Sequence, residues 1–244
     1  MNKFKEIANK TPILPSILKA IRNKYLYNQL KKQNTEQVFT NIFRENTWGG
    51  KESVSGVGSD LFQTRIILKE IPTLLREFAI HSMLDIPCGD FHWLKELNLN
   101  EIIYSGAEIV AETVKLNNEK YSRTGLTFQK LDLITDILPK VDLIFCRDCL
   151  VHFSNSDILK SLNNICNSES KYLLTTTFVG RKTNKDIATG QWRPLNLGIA
   201  PIFLPKPLKI INEGCTESNN AFADKSLGLW LISDIQKSIS NFRQ

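Results

Sequence analysis

The sequence predicts an α/β domain with a mainly parallel sheet covered by helices on both faces, preceded by a basic helical extension. Three observations predict it. Strand-like apolar runs and helical patterns alternate from residue 81 to residue 178, and that order buries parallel strands between helices. Three successive strand tips end in an acid: Asp85, Glu108 and Asp132. The 244 residues, 42% hydrophobic and 23% charged, suit one such domain with a short extension.

The elements follow in order. In residues 1–34, Ile17, Leu18, Ile21, Tyr25 and Leu30 recur at roughly helical spacing. A basic helix of this kind packs on the body or on a second copy in a homodimer, or makes a weak contact with an anionic membrane surface. The extension is taken as residues 1–43. The Gly/Ser-rich stretch 44–60 reads as a lid-like loop opening the main domain, residues 44–244. A helix is expected from Asp60 to Phe78, capped by Ser59 or Asp60 and kinked or divided at Pro72. Strands are expected at 82–86, 102–109, 127–132, 141–147 and 171–178, with helices starting at Phe91 and spanning 111–121 and 157–166. After a Pro-rich loop come two late strand-like runs, 208–211 and 227–232.

Charge is unevenly placed. The net charge is +6, but residues 1–32 carry +7 and the rest −1. The body therefore lacks the basic face that nucleic-acid binding requires, and no nucleic-acid partner is expected. No apolar run approaches the ~20 residues of a membrane span. Five cysteines, an odd count, argue against a disulfide framework and for the cytoplasm. Cys146 and Cys149 form one C-x-x-C with no second cluster, so no metal is expected.

The informative segment is Asp85-Ile86-Pro87-Cys88-Gly89-Asp90. A strand ends in an acid and turns at a glycine, where open α/β sheets bind ligands. The pyrophosphate cradle G-x-G-x-x-G is missing, which argues against a nicotinamide dehydrogenase, and so is a P-loop. An acid in this turn repels phosphate but accepts from an ammonium group. Glu108 sits where an acid accepts from ribose hydroxyls, and Asp132 is placed to accept from an adenine amine. In 145–153, Phe-Cys-Arg-Asp-Cys-Leu-Val-His-Phe, His152 has the ordinary pKa of a general base at neutral pH, while Asp148 either orients an acceptor or takes its proton. Trp192, Arg193 and Asn196 lie in a long loop. Either Arg193 pairs with an anionic group on a substrate, or Trp192 pins the loop to the core.

The series D-x-P-C-G-D, G-A-E-I, L-D-L and F-C-R-D-C-L-V-H-F resembles the class I S-adenosylmethionine-dependent methyltransferases. With the segments Trp48–Ser59, Thr175–Phe178, Trp192–Leu197 and Asp224–Trp230, it is similar to a bacterial subgroup found in surface-polysaccharide (capsule, O-antigen) gene clusters. The resemblance implies a Rossmann-like fold with a seven-stranded, mostly parallel sheet and S-adenosylmethionine as cofactor. It implies cofactor contacts from Trp48, Asp85, Pro87, Cys88, Gly89, Asp90, Glu108, Ile109, Asp132, Leu133 and Arg147. His152 and Asp148 would be catalytic, and Trp192, Arg193 and Asn196 would contact the substrate. The implied acceptor is an oxygen, less favourably a nitrogen, of a sugar, nucleotide-linked or phosphoramidate precursor. A small metabolite and a non-catalytic cofactor-binding role stand as the alternatives.

Overall fold

The computed structural model describes residues 26–241; most of the expected amphipathic extension lies outside them. Seven strands form one sheet in the order β3-β2-β1-β4-β5-β7-β6. They are β1 (Ser82–Asp85), β2 (Ile103–Glu108), β3 (Leu126–Lys130), β4 (Leu143–Cys146), β5 (Tyr172–Phe178), β6 (Lys209–Asn212) and β7 (Lys225–Leu231). The first five are parallel, while β7 runs antiparallel to both β5 and β6. The helices are α1 (Thr35–Arg44), α2 (Ile67–Glu77), α3 (Ala111–Tyr121), α4 (Asn155–Asn167) and α5 (Ile232–Asn241).

Period-two patterning sorts the core into two layers. Leu84, Ile144 and Leu173 face one side, against Leu162 and Ile165 of α4 and Ile235 of α5. Their chain neighbours Met83, Leu143 and Leu174 face the other, against Ile67, Ile71 and Leu74 of α2. Each such aliphatic side chain contributes roughly 1.5–3 kcal/mol by leaving water. The central strands β4 and β5 are buried along their whole length, as two covered faces demand. The edge strands β3 and β6 alternate or are partly exposed.

Three local expectations change. The break in the first long helix falls at Arg65–Ile66, between a single turn (Leu61–Thr64) and α2, not at Pro72. Pro72 removes the bond to the Leu68 carbonyl, yet Ile71, Leu74 and Leu75 are buried around it, and that burial carries the helix through. No α-helix follows the glycine turn. Phe91 takes a left-handed φ of 56° and packs against Tyr104 and Phe128, and only a 3₁₀ turn, Leu94–Glu96, forms. Strand β4 stops at Cys146, so Arg147 and Asp148 lie just beyond its carboxyl end. The strand order reverses between β1 and β4, and the crevice of an open α/β sheet lies above that point.

Candidate active site

The site is built at the carboxyl ends of β1, β2 and β4. Asp85 closes β1 and is 3% exposed; its Oδ2 accepts from the Tyr104 hydroxyl at 2.7 Å. Burial pushes its carboxyl up to about 8 against the opposing pull of that hydrogen bond. The chain then turns. Cys88 N donates to Ala107 O, and Gly89 adopts φ +53°. A Cβ on Gly89 would stand 2.2 Å from Ser55 Oγ, so the turn needs glycine both for its backbone and for the loop lying on it. Glu108 closes β2, with Oε1 accepting from Ile109 N at 2.8 Å and Val110 N at 3.3 Å. Burial raises its pKa too, partly offset by those amides. Asp132 lies two residues past β3, and its Oδ1 accepts from Ile134 N at 2.8 Å, which closes a turn.

These three carboxylates line one cleft together with Pro87, Cys88, Gly89, Ile109 and Leu133. Its empty volume, open mouth included, is about 1120 Å³. Trp48, Asp90, Arg147, Asp148 and His152 line it as well. Asp90 also has a structural part to play. Its oxygens accept from Ser53 Oγ at 2.8 Å, Val54 N at 3.1 Å and Ser55 Oγ at 3.4 Å, so it fastens the Gly/Ser loop over the glycine turn.

The other side of the cleft is wired differently. Asp148 has φ +52°, a conformation that costs about 1–3 kcal/mol in a non-glycine residue and persists where neighbours enforce it. Lys225 Nζ sits 2.6 Å from its Oδ2 and Arg147 Nη1 3.4 Å from the same atom. Burial would raise the Asp148 pKa, but Lys225 and then Arg147 outweigh it and hold it at about 2. Arg147 Nη2 in turn bonds Glu213 Oε2 at 2.6 Å and Gly58 O at 2.9 Å.

His152 ends a 3₁₀ turn, Leu150–His152, and its ring packs on Trp48 at 4.8 Å. Its Nδ1 lies 3.0 Å from Gln191 O. A carbonyl can only accept, so Nδ1 carries the proton and Nε2 holds the lone pair. Burial lowers the pKa to about 4, against a smaller opposing effect of Asp148, so the imidazole is neutral at pH 7 but a weaker base than the ordinary value expected from the sequence implies.

Trp192, Arg193 and Asn196 do not line the cleft. Arg193 is 5% exposed and donates to Val151 O at 3.1 Å and Asn155 Oδ1 at 3.2 Å. Asn196 bridges Arg181 O and Gly198 N within its own loop, and Trp192 packs edge-on against Phe222. Arg193 and Trp192 both pin the loop: the guanidinium donates to Val151 O and Asn155 Oδ1, and the Trp192 ring packs edge-on against the buried Phe178. That pinning also sets Gln191 O against His152.

Human N-acetylserotonin methyltransferase, solved with S-adenosylmethionine, has a similar structure: TM-score 0.56 at 16% identity over 83% of this chain and 61% of that one. An S-adenosylmethionine-dependent methyltransferase from Clostridium acetobutylicum is similar at TM-score 0.50 and 13% identity, over 70% of this chain and 91% of that one. This chain has the Rossmann-like methyltransferase fold. It spans about three fifths of the human enzyme's length. No family model and no curated protein matches it.

Within that fold, sequence reasoning missed several residues. Phe39 and Phe43 of α1 line the cleft, with Phe39 5.9 Å from Phe153; their i,i+4 spacing was the available signal. Trp93 lines it too, whereas Ser55 and Ser59, which also line it, belong to the expected lid-like loop. Glu213, just after β6, and Lys225, at the start of β7, support it; Lys225 lies in the Asp224–Trp230 segment singled out above, while nothing in the local sequence marks Glu213.

Proposed function

We propose that the chain is an S-adenosylmethionine-dependent methyltransferase. One observation carries this reading: Asp85, Glu108 and Asp132, at or just beyond the tips of three adjacent strands, face a single cleft around the Gly89 turn. The donor set fits the cofactor. Asp85 is a buried acid without a cationic partner at hydrogen-bond distance among the described residues, matched to an ammonium group. Glu108 is an acceptor for the ribose diol, and Asp132 with Leu133 borders the place for the adenine. Cys88 contributes its backbone, since burial pushes its thiol up and leaves it unreactive.

S-adenosylmethionine, when bound, supplies an electrophilic methyl group. The protein's part is alignment, which accounts for most of the rate in such transfers. Asp148, held ionised, accepts a hydrogen bond from the acceptor and orients it. His152 Nε2 is neutral at working pH and takes the acceptor's proton.

The finer reading is a hydroxyl of a sugar, nucleotide-linked or phosphoramidate precursor in surface-polysaccharide assembly, handled in the cytoplasm. It rests on the sequence resemblance. A structural observation favours a second reading, an uncharged small metabolite. Among the described residues lining the cleft, Arg147 is the one Lys or Arg, and Glu213 already engages it. Phe39, Phe43 and Trp48 make that region apolar. Calorimetric titration with S-adenosylhomocysteine and with NAD tests the main proposal. S-adenosylhomocysteine is expected to bind and NAD not to; the reverse overturns it.

A further inference from the structure

Arg147, Asp148, Glu213 and Lys225 form a four-charge network beside the cleft. Arg147 and Asp148 reach the cleft wall; Glu213 and Lys225 do not. Lys225 opens β7 and Glu213 follows β6, and the antiparallel pairing of those strands sets both beside the end of β4. Lys225 Nζ is 2.6 Å from Asp148 Oδ2 and 3.5 Å from Glu213 Oε2. Lys225 is 5% exposed and Glu213 1%. A buried ammonium is retained only where carboxylates compensate it, and here there are two. Asp148 Oδ2 is thus occupied, while Oδ1 has the Thr176 hydroxyl at 3.4 Å.

We infer that Lys225 is a positioning residue for the methyl acceptor: by clamping Asp148 Oδ2 it keeps that carboxylate ionised and fixed at the cleft wall, so the accepting atom must present a hydrogen-bond donor. A hydroxyl or an amine meets that demand. A carboxylate or phosphate oxygen is repelled. The inference rests on the methyltransferase reading and narrows its substrate class. The charged and titratable groups around Asp148 are Arg147 on its own segment, His152 on the next turn, Lys225 from β7, Glu213 after β6 and Glu217 beyond it. The two cations stand closest, so the balance favours the carboxylate.

Carbon-13 NMR of the aspartate carboxyls in the full chain tests this, with the Asp148 signal assigned by its loss in Asp148→Asn. In the wild type Asp148 is expected to stay ionised well below the ordinary aspartate range. Lys225→Met should raise its midpoint by about 1–3 pH units, the scale of one close opposite charge. Lys225→Arg should keep it within one unit of wild type. A wild-type midpoint at or above the ordinary value overturns the inference whether or not Lys225→Met folds; so does an unmoved midpoint in a folded Lys225→Met. Among acceptors screened by S-adenosylhomocysteine release, those turned over should be hydroxyls or amines, and turnover of a carboxylate also overturns it. Absent S-adenosylhomocysteine binding with a depressed Asp148 would instead overturn the methyltransferase reading and, with it, the methyl-acceptor role, while the Lys225–Asp148 clamp itself would stand.

Discussion

The two walls of the cleft hold their carboxylates in opposite electrostatic states. On the β1–β3 side, Asp85 and Glu108 are buried with no Lys or Arg at ion-pair distance among the described residues, and burial drives both pKa values up. On the β4–β7 side, Asp148 is half-buried at the cleft wall, and Lys225 and Arg147 hold it down at about 2. The first wall is incomplete until a cationic ligand arrives. The second is neutralised within the protein and has its geometry set beforehand. A cofactor that comes and goes suits the first arrangement, and an acceptor that must be aligned to the reacting methyl suits the second.

The largest expected effect is on turnover. His152→Ala should slow methyl transfer by about 10²–10⁴-fold, the usual contribution of a positioned base, while calorimetric affinity for S-adenosylhomocysteine changes little. Equal losses in both would erase the division between the walls. Next is Glu213→Ala, which leaves Arg147 and Lys225 buried with Asp148 alone. Breaking a buried pair from one side costs about 3–5 kcal/mol, so denaturant unfolding should show a loss of that size. A loss under 1 kcal/mol would mean that water reaches the network.

The same contrast explains what the sequence revealed. The β1–β3 wall is built from the tips of three strands that are consecutive in the chain and adjacent in the sheet, so Asp85, Glu108 and Asp132 could be placed from spacing alone. The alternating apolar runs likewise located all seven strands to within a few residues. The β4–β7 wall joins residues 147 and 148 to residues 213 and 225 through an antiparallel strand pair at the far end of the chain. No local pattern encodes that pairing. The loop-fastening part of Asp90 was hidden for a related reason: its partners Ser53 and Val54 come from a loop 36 or more residues away. The partners that hold Arg193 in its loop, Val151 O and Asn155 Oδ1, are likewise invisible in sequence.

Glu108→Ala carries the reverse signature to His152→Ala. It should weaken S-adenosylhomocysteine binding by about 1.5–3 kcal/mol, the scale of hydrogen bonds to a charged group. The unliganded protein should not be destabilised by a comparable amount, because a desolvated acid is removed along with its hydrogen bonds. A variant that unfolds yet binds normally would assign Glu108 to the amides of Ile109 and Val110 rather than to the ribose.

The smallest and most diagnostic effect is a fraction of a proton. With its carboxyl raised to about 8, Asp85 is mostly protonated in the unliganded protein at pH 7. A cation placed beside it favours the ionised form, so binding S-adenosylhomocysteine, whose amine is charged, should release protons at pH 7 and release none well above pH 8. Calorimetry at pH 7 in two buffers of different ionisation enthalpy measures that number directly, and Asp85→Asn should abolish it. The linkage to folding has the same origin. Folded Asp85 binds its proton more tightly than the unfolded chain does, so its cost to stability grows from about pH 4 to about pH 8 and then levels off. Asp148 has the opposite sign: its stabilisation is complete above the ordinary aspartate pKa and is lost as pH falls towards about 2. Unliganded wild type should therefore lose ground to Asp85→Asn on the alkaline side and to Asp148→Asn on the acid side, and a single shared pH trend for both variants would show that the two walls are not in opposite states.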